Sequence, residues 1–313
     1  MQSSVDAHEL DGSAAFRLRT GDLEAAVVPG VGMVVASLRH DGRELLGQRG
    51  GLAAYRDRGS TFGVPLLFPW ANRLPGLAYE AAGHRVELDP ATSPVKRDGN
   101  GLPIHGLLTA CPDWEVAHAT ADQDGAEVLA TLVLDEHPAL LAAFPFPCAL
   151  ALTHRLDAGG LQTTLTVMPT GDVPVPVAFG FHPYLAPGGD RRLWELELPV
   201  AAHAALDERG LPTGVVEPAE PGARLLGDAV YDDLYPALEP DPVFAVATRE
   251  LRLEVAFDPA YPCAQVYAPA DADVVCFEPM TAPTAALATG DGLRLIDPGG
   301  SFTAAFRIDV EPA

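Results

Sequence analysis

The sequence predicts an all-β fold, a large antiparallel β-sandwich, and three observations predict it. Apolar residues recur with a period of two in one segment after another. Helical periodicity is sparse. And 30 glycines and 30 prolines punctuate short runs along 313 residues. In chain order, HPALLAAF (residues 137–144) makes two helical turns at most. CALALTHRLDAGGLQTTLTVMP (148–169) reads as two strands joined by a glycine-containing turn at Asp157-Ala158-Gly159-Gly160. RLWELEL (192–198) sets Trp194, Leu196 and Leu198 against Glu195 and Glu197, and VEPAEPGARLLGD (216–228) reads as loop. ELRLEVAFD (250–258) puts Leu251, Leu253, Val255 and Phe257 on one face with Arg252 and Glu254 on the other. SFTAAFRIDV (301–310) alternates Phe302, Ala304, Phe306 and Ile308. Each pattern describes a strand with one face on a core. No repeat, low-complexity tract or linker interrupts them, so a single domain over residues 1–313 is expected.

Composition narrows the partners. Hydrophobic residues make up 48% and charged residues 20%, an ordinary globular balance, but 43 Asp and Glu against 20 Lys and Arg leave a formal charge of −23. Such a surface repels phosphate backbones and anionic lipid heads, so neither nucleic acid nor membrane is an expected partner. The four cysteines, Cys111, Cys148, Cys263 and Cys276, show no CxxC and no paired spacing, and read as reduced thiols rather than a disulfide framework or a zinc site. MQSSVDAHELDGSAAF lacks a basic stretch followed by an apolar one, and no run approaches a membrane span. A soluble, cytoplasmic monomer or small homo-oligomer is the expectation.

Five short segments break the alternation and set polar groups in apolar surroundings. In FGVPLLFPWANRLPG (62–76), Asn72 and Arg73 follow a proline-pinned apolar stretch; such an arginine either forks onto ligand oxygens or salt-bridges a loop. In GLPIHGLL (101–108), His105 precedes a glycine that permits an unusual backbone angle, yet a lone histidine on an apolar stretch is more often structural. FGFHPYL (179–185) holds His182 among aromatic residues, stiffened by Pro183. VYDDLY (230–235) is either a solvated turn or a hydroxyl-binding aspartate beside an aromatic platform. DVVCFEPMTAPTAAL (273–287) places Glu278 at the end of an apolar strand, where desolvation raises a carboxyl pKa toward that of a general base working near neutrality.

Together, in order and spacing, PWANR, IHG, FHPYL, YDDLY and FEPMTAP resemble the motifs of the aldose 1-epimerases, or galactose mutarotases; LRHDGRELL (38–46) and LIDPGGSFTAAFRI (295–308) extend the similarity over nearly the whole chain. The resemblance implies a galactose mutarotase-like supersandwich whose groove binds a free aldose with neither cofactor nor metal. It implies Glu278 as base at the C1 hydroxyl, His182 as acid at the ring oxygen, and His105 steadying charge near both. Arg73 and Asp232, with Asn72 beside them, would hold the remaining hydroxyls. Asp232 is favoured over Asp233 because it fills the family's aspartate position. Trp70, Phe179 and Tyr184 are aromatic residues that either stack on sugar or belong to the core.

Other readings are weaker. A glycosidase would use Asp232 and Glu278 but leaves two histidines unexplained. A hexose-phosphate epimerase needs a basic cluster, and VKRDGN (95–100) supplies only Lys96 and Arg97 near a motif. A non-catalytic carbohydrate-binding protein has no need of both Glu278 and His182. A metal site from His105, His182, Asp232 and Glu278 lacks any HxH or HxxxH spacing.

Overall fold

The alternation in residues 250–258 becomes the strand Leu251–Phe257, with Leu251, Leu253, Val255 and Phe257 buried and Arg252 and Glu254 half-buried. The same holds for Cys148–Leu156 and Gly160–Pro169, which pair antiparallel across the Asp157–Gly160 turn, and for Glu195–Leu198 and Phe302–Pro312. The computed structural model describes residues 3–312; Met1, Gln2 and Ala313 lie outside it.

These strands build a nine-stranded sheet in the order Gly222–Leu225, Glu195–Leu198, Val243–Ala247, Leu251–Phe257, Phe302–Pro312, Gly160–Pro169, Cys148–Leu156, Ala126–Val133, Glu115–Ala121. A second, eight-stranded sheet runs Pro212–Pro218, Val200–Leu206, Tyr231–Leu238, Cys263–Ala268, Val275–Met280, Gly180–Phe181, Leu66–Leu67, with Tyr184–Leu185 also pairing Val275–Met280. A five-stranded meander from Ser4–Leu10 to Arg43–Glu44 forms a third sheet. The two large sheets pack face to face. Phe244 of one lies 5.2 Å, centroid to centroid, from Phe277 of the other, and Phe181 lies 5.0 Å from Phe306. Each such ring, removed from water, contributes on the order of 1.5–3 kcal/mol. The meander is tied to the nine-stranded sheet through His154, whose ring nitrogens meet Thr163 Oγ1 (3.0 Å) and the Met33 carbonyl (2.9 Å). The architecture is the large antiparallel β-sandwich that the alternation predicts.

Local expectations fare unevenly. Residues 137–144 supply a short helix, Pro138–Ala143. The stretch 216–228, expected as loop, is instead largely strand, the end of Pro212–Pro218 followed by Gly222–Leu225. Both are edge strands, and Pro212–Pro218 is exposed along most of its length, so no core face imposes an alternating pattern on them. A helix at Gly51–Arg58 has no counterpart in the sequence pattern either. Leu52, Ala54 and Tyr55 are its buried residues, too few to show a 3.6-residue period.

Candidate active site

Strand parity decides which side chains meet. Val275–Met280 is buried throughout, so its run of apolar residues carries no outward sign of a face. Phe277 points into the main core; Cys276, Glu278 and Met280 therefore point to the opposite face of the eight-stranded sheet. Directly opposed residues on antiparallel strands share a face. Gln265 opposes Glu278 and Tyr267 opposes Cys276, which puts both on Glu278's side. On the next strand Asp232 opposes Tyr267, and Asp233 opposes the core residue Val266. Asp232 thus lands on the face that carries Glu278, and Asp233 does not.

The other residues arrive on irregular chain. Residues 68–73 and 104–106 run alongside each other, bridged at Phe68–Gly106 and Arg73–Ile104, and the His105 N–H donates to the Asn72 carbonyl (2.9 Å). Asn72 and His105 both take positive φ, 54° and 62°. Gly106 follows at 71°, where a Cβ would lie 2.1 Å from the Phe68 carbonyl oxygen. Only glycine fits that close approach. His182 sits between Gly180–Phe181 and Tyr184–Leu185, its N–H donating to the Pro65 carbonyl (3.2 Å).

A cleft of ≈ 270 Å³ results, lined by Asn72, Arg73, His105, His182, Asp232 and Glu278 among others. Every residue that the motifs single out as a site residue is on its wall. His182 Nε2 lies 3.2 Å from Glu278 Oε1 and 3.2 Å from the Tyr184 hydroxyl, which in turn lies 2.6 Å from Thr61 Oγ1. The His182 ring stacks on Tyr184 at 4.3 Å, and His105 stands edge-on to it at 5.5 Å. Arg73 donates from Nε to Asp98 Oδ2 (2.7 Å), and one of its Nη atoms lies 4.0 Å from Asp232. Gln265 Nε2 donates to Asp232 Oδ1 (2.7 Å). Asp233 is turned to His203 (2.9 Å).

Burial sets the protonation states. Glu278 is 2% exposed and His182 4%. Desolvation, with a smaller push from Asp232, raises the Glu278 carboxyl well above its ordinary value, although Arg73 pulls the other way. Desolvation, then the charges of Lys96 and Arg49, lowers the His182 imidazole to about 3. His105 is lowered by desolvation and by His182, Lys96 and Arg73. Burial therefore disfavours the charged form of both partners, the imidazolium and the carboxylate alike. Three buried polar atoms of the cleft, His105 Nδ1, His182 Nδ1 and Glu278 Oε2, have no hydrogen-bond partner in the protein. Buried polar groups are rarely left so, and three around one cleft mark a place where a polar ligand completes them.

A family model for aldose 1-epimerase matches residues 14–309. The chain belongs to the aldose 1-epimerase family. Among curated relatives of this family member, the uncharacterised Escherichia coli (strain K12) protein YihR is 30% identical over 152 residues, a match that spans 47% of this chain and 44% of that protein. Among solved structures, a galactose mutarotase-like protein from Clostridium acetobutylicum superposes with a TM-score of 0.87 at 18% identity, covering 100% of this chain and 99% of that one. Galactose 1-epimerase from Lactobacillus acidophilus does so with a TM-score of 0.77 at 15% identity, covering 100% and 99%.

In this aldose 1-epimerase family member the alternatives left open by the sequence are narrowed. Trp70 and Phe179 are core residues, 1% and 0% exposed, away from the cleft; Tyr184 lines it but presents its ring face to His182. Arg73 does both things foreseen for it, pairing with the loop residue Asp98 while lining the cleft. Lys96 reaches the wall and Arg97, its neighbour, does not line it. Arg49, Ser60, Thr61 and Tyr267 also line the cleft and were missed by motif reading. Tyr267 follows from the register of its strand with Val275–Met280. Arg49, in GQRGG, has no local signal at all, because its place depends on how distant segments pack.

Proposed function

We propose that the protein interconverts the α and β anomers of an aldose by opening and reclosing the ring between Glu278 and His182. The observation that carries this reading is the 3.2 Å contact between His182 and Glu278, a buried acid–base pair at the cleft wall. A sugar seated between the two replaces their direct contact. In the ionic arrangement of the pair the imidazolium donates its proton to the ring oxygen, the carboxylate takes the C1 hydroxyl proton, the C1–O bond of the ring breaks and the C1 carbonyl forms. Rotation about C1–C2 presents the other carbonyl face, and the steps run in reverse, Glu278 returning a proton to C1 oxygen and His182 reclaiming one from the ring hydroxyl. Each group supplies roughly 10²–10⁴-fold. In this reading His105 bonds near C1 and the ring oxygen. Arg73 and Asp232 would grip hydroxyls; their bonds with Asp98 and Gln265 support that role by fixing both side chains.

The decay of optical rotation of freshly dissolved α-D-galactose and α-D-glucose tests this reading. The wild type is expected to accelerate it, and Glu278→Gln and His182→Asn each to lose at least about 10²-fold of that acceleration while staying folded. Full activity in Glu278→Gln would sink the mechanism.

A further inference from the structure

Arg73 is held in the cleft from more than one side. Its Nε donates to Asp98 Oδ2 (2.7 Å) and its Nη1 to Asn72 Oδ1 (3.0 Å). Nη2 makes no hydrogen bond among the described residues and lies 4.0 Å from Asp232 Oδ2. Of the five N–H groups of a guanidinium, the two on Nη2 are thus left for a ligand. Which nitrogen is left over depends on how the group is turned.

A further wall bears on that turn. The strands Val200–Leu206 and Pro212–Pro218 pair as a hairpin, and the connection between them is closed on itself. The Asp207 N–H donates to the Leu211 carbonyl (2.8 Å) and the Gly210 N–H to the Asp207 carbonyl (2.9 Å), while the Asp207 carboxylate accepts from the Arg209 and Leu211 N–H groups. Gly210, with a φ of 75°, is pressed against Arg73: a Cβ there would lie 2.7 Å from Nη1 and 3.0 Å from Cζ. Leu211 holds the tip down, buried with Leu102 and Ala285 in a cluster apart from the main core. Both of those partners belong to segments that touch Arg73. The Leu102 N–H donates to the same Asp98 carboxylate (3.0 Å), and the Ala285 N–H to the Arg73 carbonyl (3.1 Å). None of residues 207–211 lines the cleft, so the tip bears on the guanidinium from behind.

We propose that Gly210 is a positioning residue for Arg73: its missing side chain leaves the slot in which the guanidinium sits against the hairpin tip, bonded to Asp98 and Asn72, with Nη2 left for the sugar. The proposal rests on the reading of Arg73 as a residue that grips sugar hydroxyls. The rival account is a glycine kept only for its turn. Gly214 of the same hairpin separates the two, because its φ is 86° but nothing lies within 4 Å of where its Cβ would be. At Gly210 an added methyl meets the end of a flexible side chain rather than backbone. The chain therefore still folds, and the guanidinium is what gives way.

The test compares Gly210→Ala, Gly214→Ala, Arg73→Ala and the double variant Gly210→Ala/Arg73→Ala in anomer exchange of D-galactose and D-glucose. Gly210→Ala is expected to raise KM about tenfold with kcat changed far less, the loss of a well-placed charged hydrogen bond. Gly214→Ala is expected to stay near wild type, and the double variant to match Arg73→Ala alone. A KM for Gly210→Ala no higher than for Gly214→Ala overturns the proposal, as does an increase that multiplies with that of Arg73→Ala. The Arg73 Nε–H NMR signal, assigned by its loss in Arg73→Ala, reads the position without turnover. Its exchange with solvent is expected to be slow in wild type and Gly214→Ala and several-fold faster in Gly210→Ala; equal rates in all three overturn the proposal. Should the wild type accelerate neither sugar, the anomer-exchange reading falls, and this signal alone judges Gly210.

Discussion

His182 and His154 are both buried histidines, His154 within a strand and His182 between two short ones, and their local sequences do not tell them apart. His154 meets a hydroxyl with one ring nitrogen and a carbonyl with the other, a satisfied structural residue. His182 leaves Nδ1 without a partner and offers Nε2 to Glu278. The difference lies in the partners, which come from Met33, Thr163 and Glu278, residues far apart in the chain. Asp232 and Asp233 illustrate the opposite case: one step along a strand exchanges faces, so register separates what local composition cannot. Asp232→Ala is expected to raise KM for the sugar several-fold, with Asp233→Ala clearly milder; the reverse order in steady-state kinetics would mean that Asp233 holds the substrate. The pH profile reports on the pair. Because burial lowers His182 to about 3, its imidazole stays neutral far into acid in the free enzyme. The acid limb of kcat/KM, after subtraction of the uncatalysed rate, is therefore expected well below the value near 6.5 of a free imidazole. A limb at that value would show His182 titrating as a solvated side chain.

At the level of elements, the sheet strands were legible because each has a buried face and a wetter one, and the period of two survives in the sequence. Val275–Met280 is the instructive exception, buried on both faces. Its carboxylate stood out because nothing else in the strand is polar. The edge strands and the helix Gly51–Arg58 were illegible for the converse reason, since little of either is buried. The paired segments 68–73 and 104–106 depend on backbone geometry that sequence registers only as a glycine. Gly106→Ala tests that geometry. The residue has a φ of 71°, and the added methyl would lie 2.1 Å from the Phe68 carbonyl oxygen. The strained backbone costs about 1–3 kcal/mol, and relieving the clash displaces His105. A lower Tm together with reduced turnover is expected; wild-type values of both would mean that the bridge at Phe68–Gly106 is not needed to hold His105.

For the molecule as a whole, the buried histidines govern behaviour in acid. His154, lowered by burial to about 4, His182 at about 3 and the likewise depressed His105 stay neutral in the fold but take up protons in the unfolded chain below about pH 6.5. The unfolded state then binds more protons, so stability falls with pH by about 1.4 kcal/mol per unit for each histidine until its folded pKa is reached. Glu278, with its raised pKa, works the other way: its contribution is greatest below the ordinary carboxyl range and is lost as pH rises. Three groups outweigh one, and Tm is expected to drop between pH 6.5 and 5. A flat or rising Tm over that interval would show that these histidines are not held neutral. That the chain makes packed antiparallel sheets was legible from alternation and turn residues; the order of strands was not, because pairing joins segments far apart in the chain. Phe302–Pro312 is the clearest instance. It lies in the interior of the nine-stranded sheet, between Leu251–Phe257 and Gly160–Pro169. A ribosome making this protein therefore releases two half-sheets, each with a bare hydrogen-bonding edge, before the strand that joins them exists. Until residues 302–312 emerge those edges are open to mispairing with neighbouring chains, so yield in the cell depends on how well nascent protein is shielded until that strand is made.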